Sequence, residues 1–138
     1  MVLGDPSLWR LSVDGDSAAI LIVDDDEAIA SMYRLQLEMD GYAVHVVGSV
    51  AEAKLRVSAN RPDLLLLDIG LPGADGFELL QWRRSEGHGF PVLLLSNYSN
   101  PELVARAREL GVSDYLVKSN TTPIELTRAA AAILSDSR

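Results

Sequence analysis

The chain has 138 residues, 12 of them Lys or Arg and 20 Asp or Glu, which leaves a net charge of −8. That length is one domain's worth, and the acidic balance argues against direct binding to nucleic acid or an anionic membrane, both of which are polyanions. Apolar residues make up 48% and charged residues 23%, an ordinary globular composition, and with no Cys the chain has no disulfide, thiolate metal site or Cys nucleophile.

Met1 to Ser17 shows no clean period and no apolar export core, and reads as an N-terminal extension, residues 1–17, in front of a domain spanning 18–135. Short apolar runs then recur at Ala18–Val23, Ala43–Val47, Leu64–Leu67, Val92–Leu95 and Tyr115–Val117. Runs that do not alternate mark strands buried on both faces, hence a parallel sheet. The longest falls far short of the ~20 residues a membrane helix needs.

Helical stretches separate the runs. In the first, Ile29, Met32, Tyr33 and Leu37 share a face and Gly41 closes the helix. Ser49 with Glu52 forms a capping box for the second, whose Ala53 and Val57 face the sheet until Pro62 stops it. Phe77 and Leu80 point inward from a third, beside which Trp82 packs near Leu79. The pairs Asn100-Pro101 and Thr122-Pro123 open the fourth and fifth, each with Pro at the first helical position. The fourth ends at Gly111, and the fifth turns Leu126, Ala130 and Ile133 inward before a tail at 136–138. Five strands alternating with helices give an α/β doubly wound sheet.

Certain polar residues fall at the strand ends. Asp24, Asp25 and Asp26 follow the first strand, Asp68 the third, Ser96 ends the fourth and Lys118 the fifth. In a parallel sheet all C-terminal strand ends share one edge, where ligands bind. Carboxylates gathered there repel one another unless a cation intervenes. Mg²⁺, with Mn²⁺ as a substitute, takes oxygen ligands and keeps waters that leave room for a phosphoryl group. A carboxylate nucleophile, a metal, a hydroxyl and a lysine make a phosphoryl-transfer site. Asp26 and Glu27 are read instead as first-turn acids of the following helix, and His45 and His88 show no metal-ligand spacing.

Four separated motifs now stand in order: Ile20 through Glu27 (ILIVDDDE), Asp63 through Gly76 (DLLLLDIGLPGADG), Ser96, and Tyr115 through Lys118 (YLVK). Together they resemble the receiver domain of two-component response regulators, over roughly Ala18 to Leu134. The resemblance implies a flavodoxin-like strand order 2-1-3-4-5. It implies Asp68 as phosphoacceptor, Asp25, Asp68 and the Gly70 carbonyl as direct metal ligands, and Asp24 as a ligand through water. Lys118 is implied to pair with Asp68 and then with the phosphoryl group, with Ser96 and Tyr115 as the switch pair. Implied partners are a sensor histidine kinase or phosphotransfer protein as donor, and a downstream protein or an output domain outside this chain as receiver of the signal. The fourth helix, fifth strand and fifth helix would form the signalling face and a homodimer surface, with Val104 and Val117 among its apolar contacts. The implied setting is cytoplasmic, and the chain is a signalling domain rather than an enzyme with turnover.

Four positions depart from the family pattern. Ser119 stands where Pro usually follows the lysine in a cis bond, so Lys118 is expected to reach the site by another backbone route, because a cis bond before Ser costs ~3 kcal/mol. Asn97 replaces a small residue and is expected to slow loss of the phosphoryl group. Gly70 has no side chain to position the attacking water, and Arg83 replaces an apolar residue whose space Trp82 is expected to fill. A phosphate-independent interaction module stands as the alternative. A small-molecule phosphatase is disfavoured, since Gly70 occupies the place where such enzymes carry a second aspartate.

Overall fold

The strands are short runs of mostly apolar residues, and α1, α2 and α5 are each opened by a side chain that takes an otherwise unpaired backbone N–H. The computed structural model describes residues 17–69, 76–97 and 101–136. The elements alternate: β1 (Ala19–Val23), α1 (Glu27–Met39), β2 (Ala43–Val47), α2 (Val50–Ala59), β3 (Leu64–Asp68), α3 (Gly76–Ser85), β4 (Val92–Ser96), α4 (Pro101–Glu109), β5 (Asp114–Val117) and α5 (Pro123–Asp136). All five strands pair in parallel in the order β2-β1-β3-β4-β5. This is the doubly wound α/β fold and the strand order expected above. The extension (residues 1–16, with Trp9 and Leu11), Gly70, Gly73, Asn100 and the last two residues lie outside the described residues.

Because successive strand residues face opposite sides, the sheet sorts its side chains into two cores. Leu21, Val23, Leu65, Leu67 and Leu94 pack with Ala53 and Val57 of α2, Phe77 and Leu80 of α3, and Ala107 of α4. Ile20, Ile22, Leu66 and Leu95 pack with Ala30, Tyr33 and Leu37 of α1 and with Leu126 and Ala130 of α5. β5 is the exposed edge, with no buried residue.

Most caps follow the sequence. Ser49 Oγ accepts from Glu52 N–H at 3.2 Å. Thr122 and Glu125 exchange reciprocal bonds, at 3.1 Å to the hydroxyl and 3.2 Å to the carboxylate. Asp26, expected in the first turn of α1, is instead its cap, accepting from Ile29 N–H at 3.1 Å, and Glu27 alone is the first-turn acid. Gly41 and Gly111 take left-handed φ values of 96° and 85° beyond α1 and α4, the conformation that ends a helix at least cost.

Three packing expectations need correction. Met32 is not on the inner face of α1: it is 47% exposed, and Ala30 takes its place beside Tyr33 and Leu37. The inward stripe of α5 is closed by Leu134, with Ile133 only partly buried. Arg83, not Trp82, fills its own space. Its guanidinium lies over the Phe90 ring at 5.3 Å, and both Nε, at 2.9 Å, and an Nη donate to the Phe90 carbonyl. A buried arginine is tolerated where its donors are met and its plane stacks on an aromatic face. Trp82 is left half-buried, with Lys54 Nζ 5.9 Å from its ring and His88 on its other side.

Candidate functional site

Asp24 is the first residue past β1, where its N–H still donates to Val47 of β2 at 3.0 Å. Its carboxylate turns back over the strand end: one oxygen accepts from Asp26 N–H at 2.9 Å, the other from Lys118 Nζ at 2.9 Å. Asp68 ends β3 and accepts from the same ammonium at 3.1 Å. The three side chains are nearly enclosed, at 9% exposure for Lys118, 1% for Asp24 and 8% for Asp68. Residues 94 positions apart thus meet at one sheet edge. Asp25 is exposed, yet its carboxylate, with those of Asp24 and Asp68, places oxygens within 4.8 Å of one another. That all-oxygen donor set suits a hard divalent cation.

Lys118 reaches the site from a short 3-10 turn, Lys118–Asn120. No peptide bond among the described residues is cis. The turn is closed instead by Thr121 N–H donating to the Lys118 carbonyl at 3.3 Å and Thr121 Oγ1 donating to the Val117 carbonyl at 2.8 Å. This is the alternative backbone route expected from Ser119.

Ser96 is buried at the end of β4, one residue past Leu95, the register partner of Asp68. Tyr115 is half-buried on β5 opposite Leu94 and packs against the α3 side of the core. The predicted acids, hydroxyl and lysine therefore share one sheet edge, with Tyr115 two residues below it. Asn97 is exposed immediately beyond Ser96.

Burial is the strongest influence on Asp24 and raises its pKa above 3.8, although the Asp26 N–H and Lys118 pull it down. Burial also disfavours the Lys118 ammonium, but hydrogen bonds and charge from Asp24 and Asp68 outweigh it and raise its pKa above 10.5. The lysine stays cationic, and the site as described holds one ammonium shared by two carboxylates.

Two features escaped the sequence reading. One is the Asp24–Lys118 bond, which no spacing rule reaches across the whole domain. The other is Tyr33, assigned only to the inner stripe of α1, whose buried phenol feels Lys118, Asp24, Asp68 and Asp26. The available signal was a phenol on an apolar stripe, since a buried tyrosine hydroxyl usually finds a polar partner.

The family model of response regulator receiver domains matches residues 20–131. Response regulator MprA of Mycobacterium bovis is 35% identical over 102 residues, 74% of this chain and 44% of that protein. The alkaline phosphatase synthesis transcriptional regulatory protein PhoP of Bacillus subtilis is 35% identical over 115 residues, 83% of this chain and 48% of its own length. The chain thus spans about half the length of these curated relatives. The solved structure of a CheY-like response regulator receiver domain protein from Methanospirillum hungatei superposes with a TM-score of 0.83 at 28% identity, covering 88% of this chain and 97% of that one.

Proposed function

The chain belongs to the response regulator receiver domain family of two-component signalling, and from that premise we propose that residues 18–135 accept a phosphoryl group on Asp68 and change shape in response. The observation that carries this reading is the Lys118 ammonium held between Asp24 and Asp68, at 2.9 and 3.1 Å. A lysine so placed already touches the carboxylate that would react.

The donor is a phosphohistidine of a sensor kinase or phosphotransfer protein. An Asp68 oxygen forms the new bond to phosphorus as the phosphorus–nitrogen bond breaks, and the electron pair of that bond returns to the imidazole. Charge neutralisation and positioning do most of the work in such transfers. Mg²⁺, held by Asp25, Asp68 and the Gly70 carbonyl and through a water by Asp24, would supply positive charge beside the transferring group. Lys118 exchanges its bond to Asp68 for one to a phosphoryl oxygen. The Ser96 hydroxyl donates to another, and Tyr115 turns inward into the space that Ser96 leaves. The face formed by α4, β5 and α5 then changes, and passes the signal to a downstream protein or an output domain. Half-buried Val104 and Val117 on that face are the apolar contacts proposed for a homodimer.

Incubation with Mg²⁺ and acetyl phosphate, followed by intact mass measurement, tests this. The wild type is expected to gain one phosphoryl group, and Asp68→Asn none. Chelating the metal is expected to abolish the gain. A wild type that never gains mass sinks the phosphoacceptor reading in favour of an interaction module that works without phosphate.

A further inference from the structure

Lys118 has three N–H donors. Asp24 and Asp68 take two of them, and no acceptor for the third is found among the described residues. Tyr33 poses the complementary problem. It is 3% exposed, and its hydroxyl makes no hydrogen bond among the described residues. A buried hydroxyl without a partner is costly, so two buried polar groups each need one more bond.

α1 starts at the acidic edge, capped by Asp26. Tyr33 sits seven residues into the chain from that cap, about 10 Å along the helix axis. Helical side chains lean back toward the N-terminus, so the phenol returns much of that distance toward the site. The core it belongs to lies beneath the same edge. Tyr33 shares a core with Leu66 and Leu95, which lie just below Asp68 and Ser96, with Leu126 at the start of α5, and with half-buried Leu116, two residues before Lys118. Burial raises the phenol's pKa above 10.0, with Lys118 the next influence and opposing it. The hydroxyl therefore stays protonated beside the ammonium.

We propose that Tyr33 is a positioning residue for Lys118: its oxygen accepts the third ammonium N–H through one bridging water, and so fixes the lysine where it meets Asp68. The consequence for rate rests on the phosphoacceptor reading above, whereas the placement of Lys118 does not.

Tyr33→Phe removes one oxygen and keeps the ring. Two readouts follow, on the full chain. The first is the side-chain ammonium signal of Lys118 in nitrogen-15 NMR, assigned by its loss in Lys118→Met. The second is the rate of phosphorylation by acetyl phosphate. The variant is expected to keep its fold, broaden or shift the Lys118 signal through faster exchange, and lower the rate by about tenfold, as the loss of a hydrogen bond to a charged group implies. In a Lys118→Met background, Tyr33→Phe is expected to have no further effect on rate. An unchanged Lys118 signal overturns the proposal, whether or not the rate falls. So does a rise in melting temperature with both readouts unchanged, the mark of a hydroxyl buried without a partner. If the wild type accepts no phosphoryl group but the Lys118 signal still responds, the positioning role stands and the phosphoacceptor reading alone fails.

Discussion

Asp24 is held against its own charge. Its raised pKa means that the folded chain binds the proton more tightly than the unfolded chain, whose value is near 3.8. Through this group, stability is greatest below 3.8 and is lost as pH rises through the folded value, because there the unfolded state releases its proton first. Asp24→Asn removes that dependence. In metal-free buffer, the melting temperature of Asp24→Asn relative to wild type is therefore expected to rise from acid toward neutral pH. A difference that stays flat or falls over that range would refute it. Lys118 follows the same sign at a much higher pH: its folded pKa is raised above 10.5, so its contribution is fully present below 10.5 and is lost only above the folded value. At neutral pH one shared cation therefore offsets the cost of two buried carboxylates. Removing it is more damaging than removing either acid, because uncompensated buried charge is the expensive state.

Among the described glycines, Gly76 at the start of α3 has the least room. A Cβ on Gly76 would lie 2.9 Å from the Cα of Ile69 and 3.4 Å from the carbonyl oxygen of Asp68. The first turn of α3 is thus pressed against the backbone next to the proposed phosphoacceptor, and Gly76 N–H donates to the Ile69 carbonyl at 3.3 Å. Gly76→Ala must push backbone against backbone, at a cost of about 1–3 kcal/mol. A lower urea midpoint at unchanged slope is the expected result, and an unchanged midpoint would show that the junction of β3 and α3 gives way freely. Strands and caps were legible in the sequence because their signals are local. Continuous apolar runs gave β1 and β2 to within a residue, and Ser49 and Thr122 each cap a backbone three residues away. Met32 was misplaced because helical spacing fixes a face only to within a residue, and Ala30 packs closer to the sheet. Arg83 was misjudged because its chemistry depends on the Phe90 carbonyl, which only the folded turn supplies.

At the scale of the whole molecule, the site was legible as a set of strand ends but not as a set of bonds. Parallel topology brings Asp24, Asp68, Ser96 and Lys118 to one edge whatever the loops do. Which oxygen meets which nitrogen depends on a turn at Lys118–Asn120 that no motif specifies. An acidic chain of net charge −8 with three carboxylates gathered at that edge gains from a divalent cation that binds the folded form alone. Saturating Mg²⁺ is expected to raise the melting temperature by several degrees beyond the effect of Na⁺ at equal ionic strength, with most of that gain lost in Asp25→Asn. Equal responses to the two salts would place the cation elsewhere or nowhere. No helix among the described residues is long and apolar enough to cross a membrane. The strand order has a further consequence, for synthesis. β1 lies inside the sheet, between β2 and β3, and Ile20 pairs with Leu64, which the ribosome adds 44 residues later. At 5–20 residues per second, that leaves the Ala19–Val23 segment waiting roughly 2–9 s for its inner neighbour. During that interval the edge of β1 that β3 will cover is open to self-association, so the nascent chain is most vulnerable to aggregation before β3 emerges.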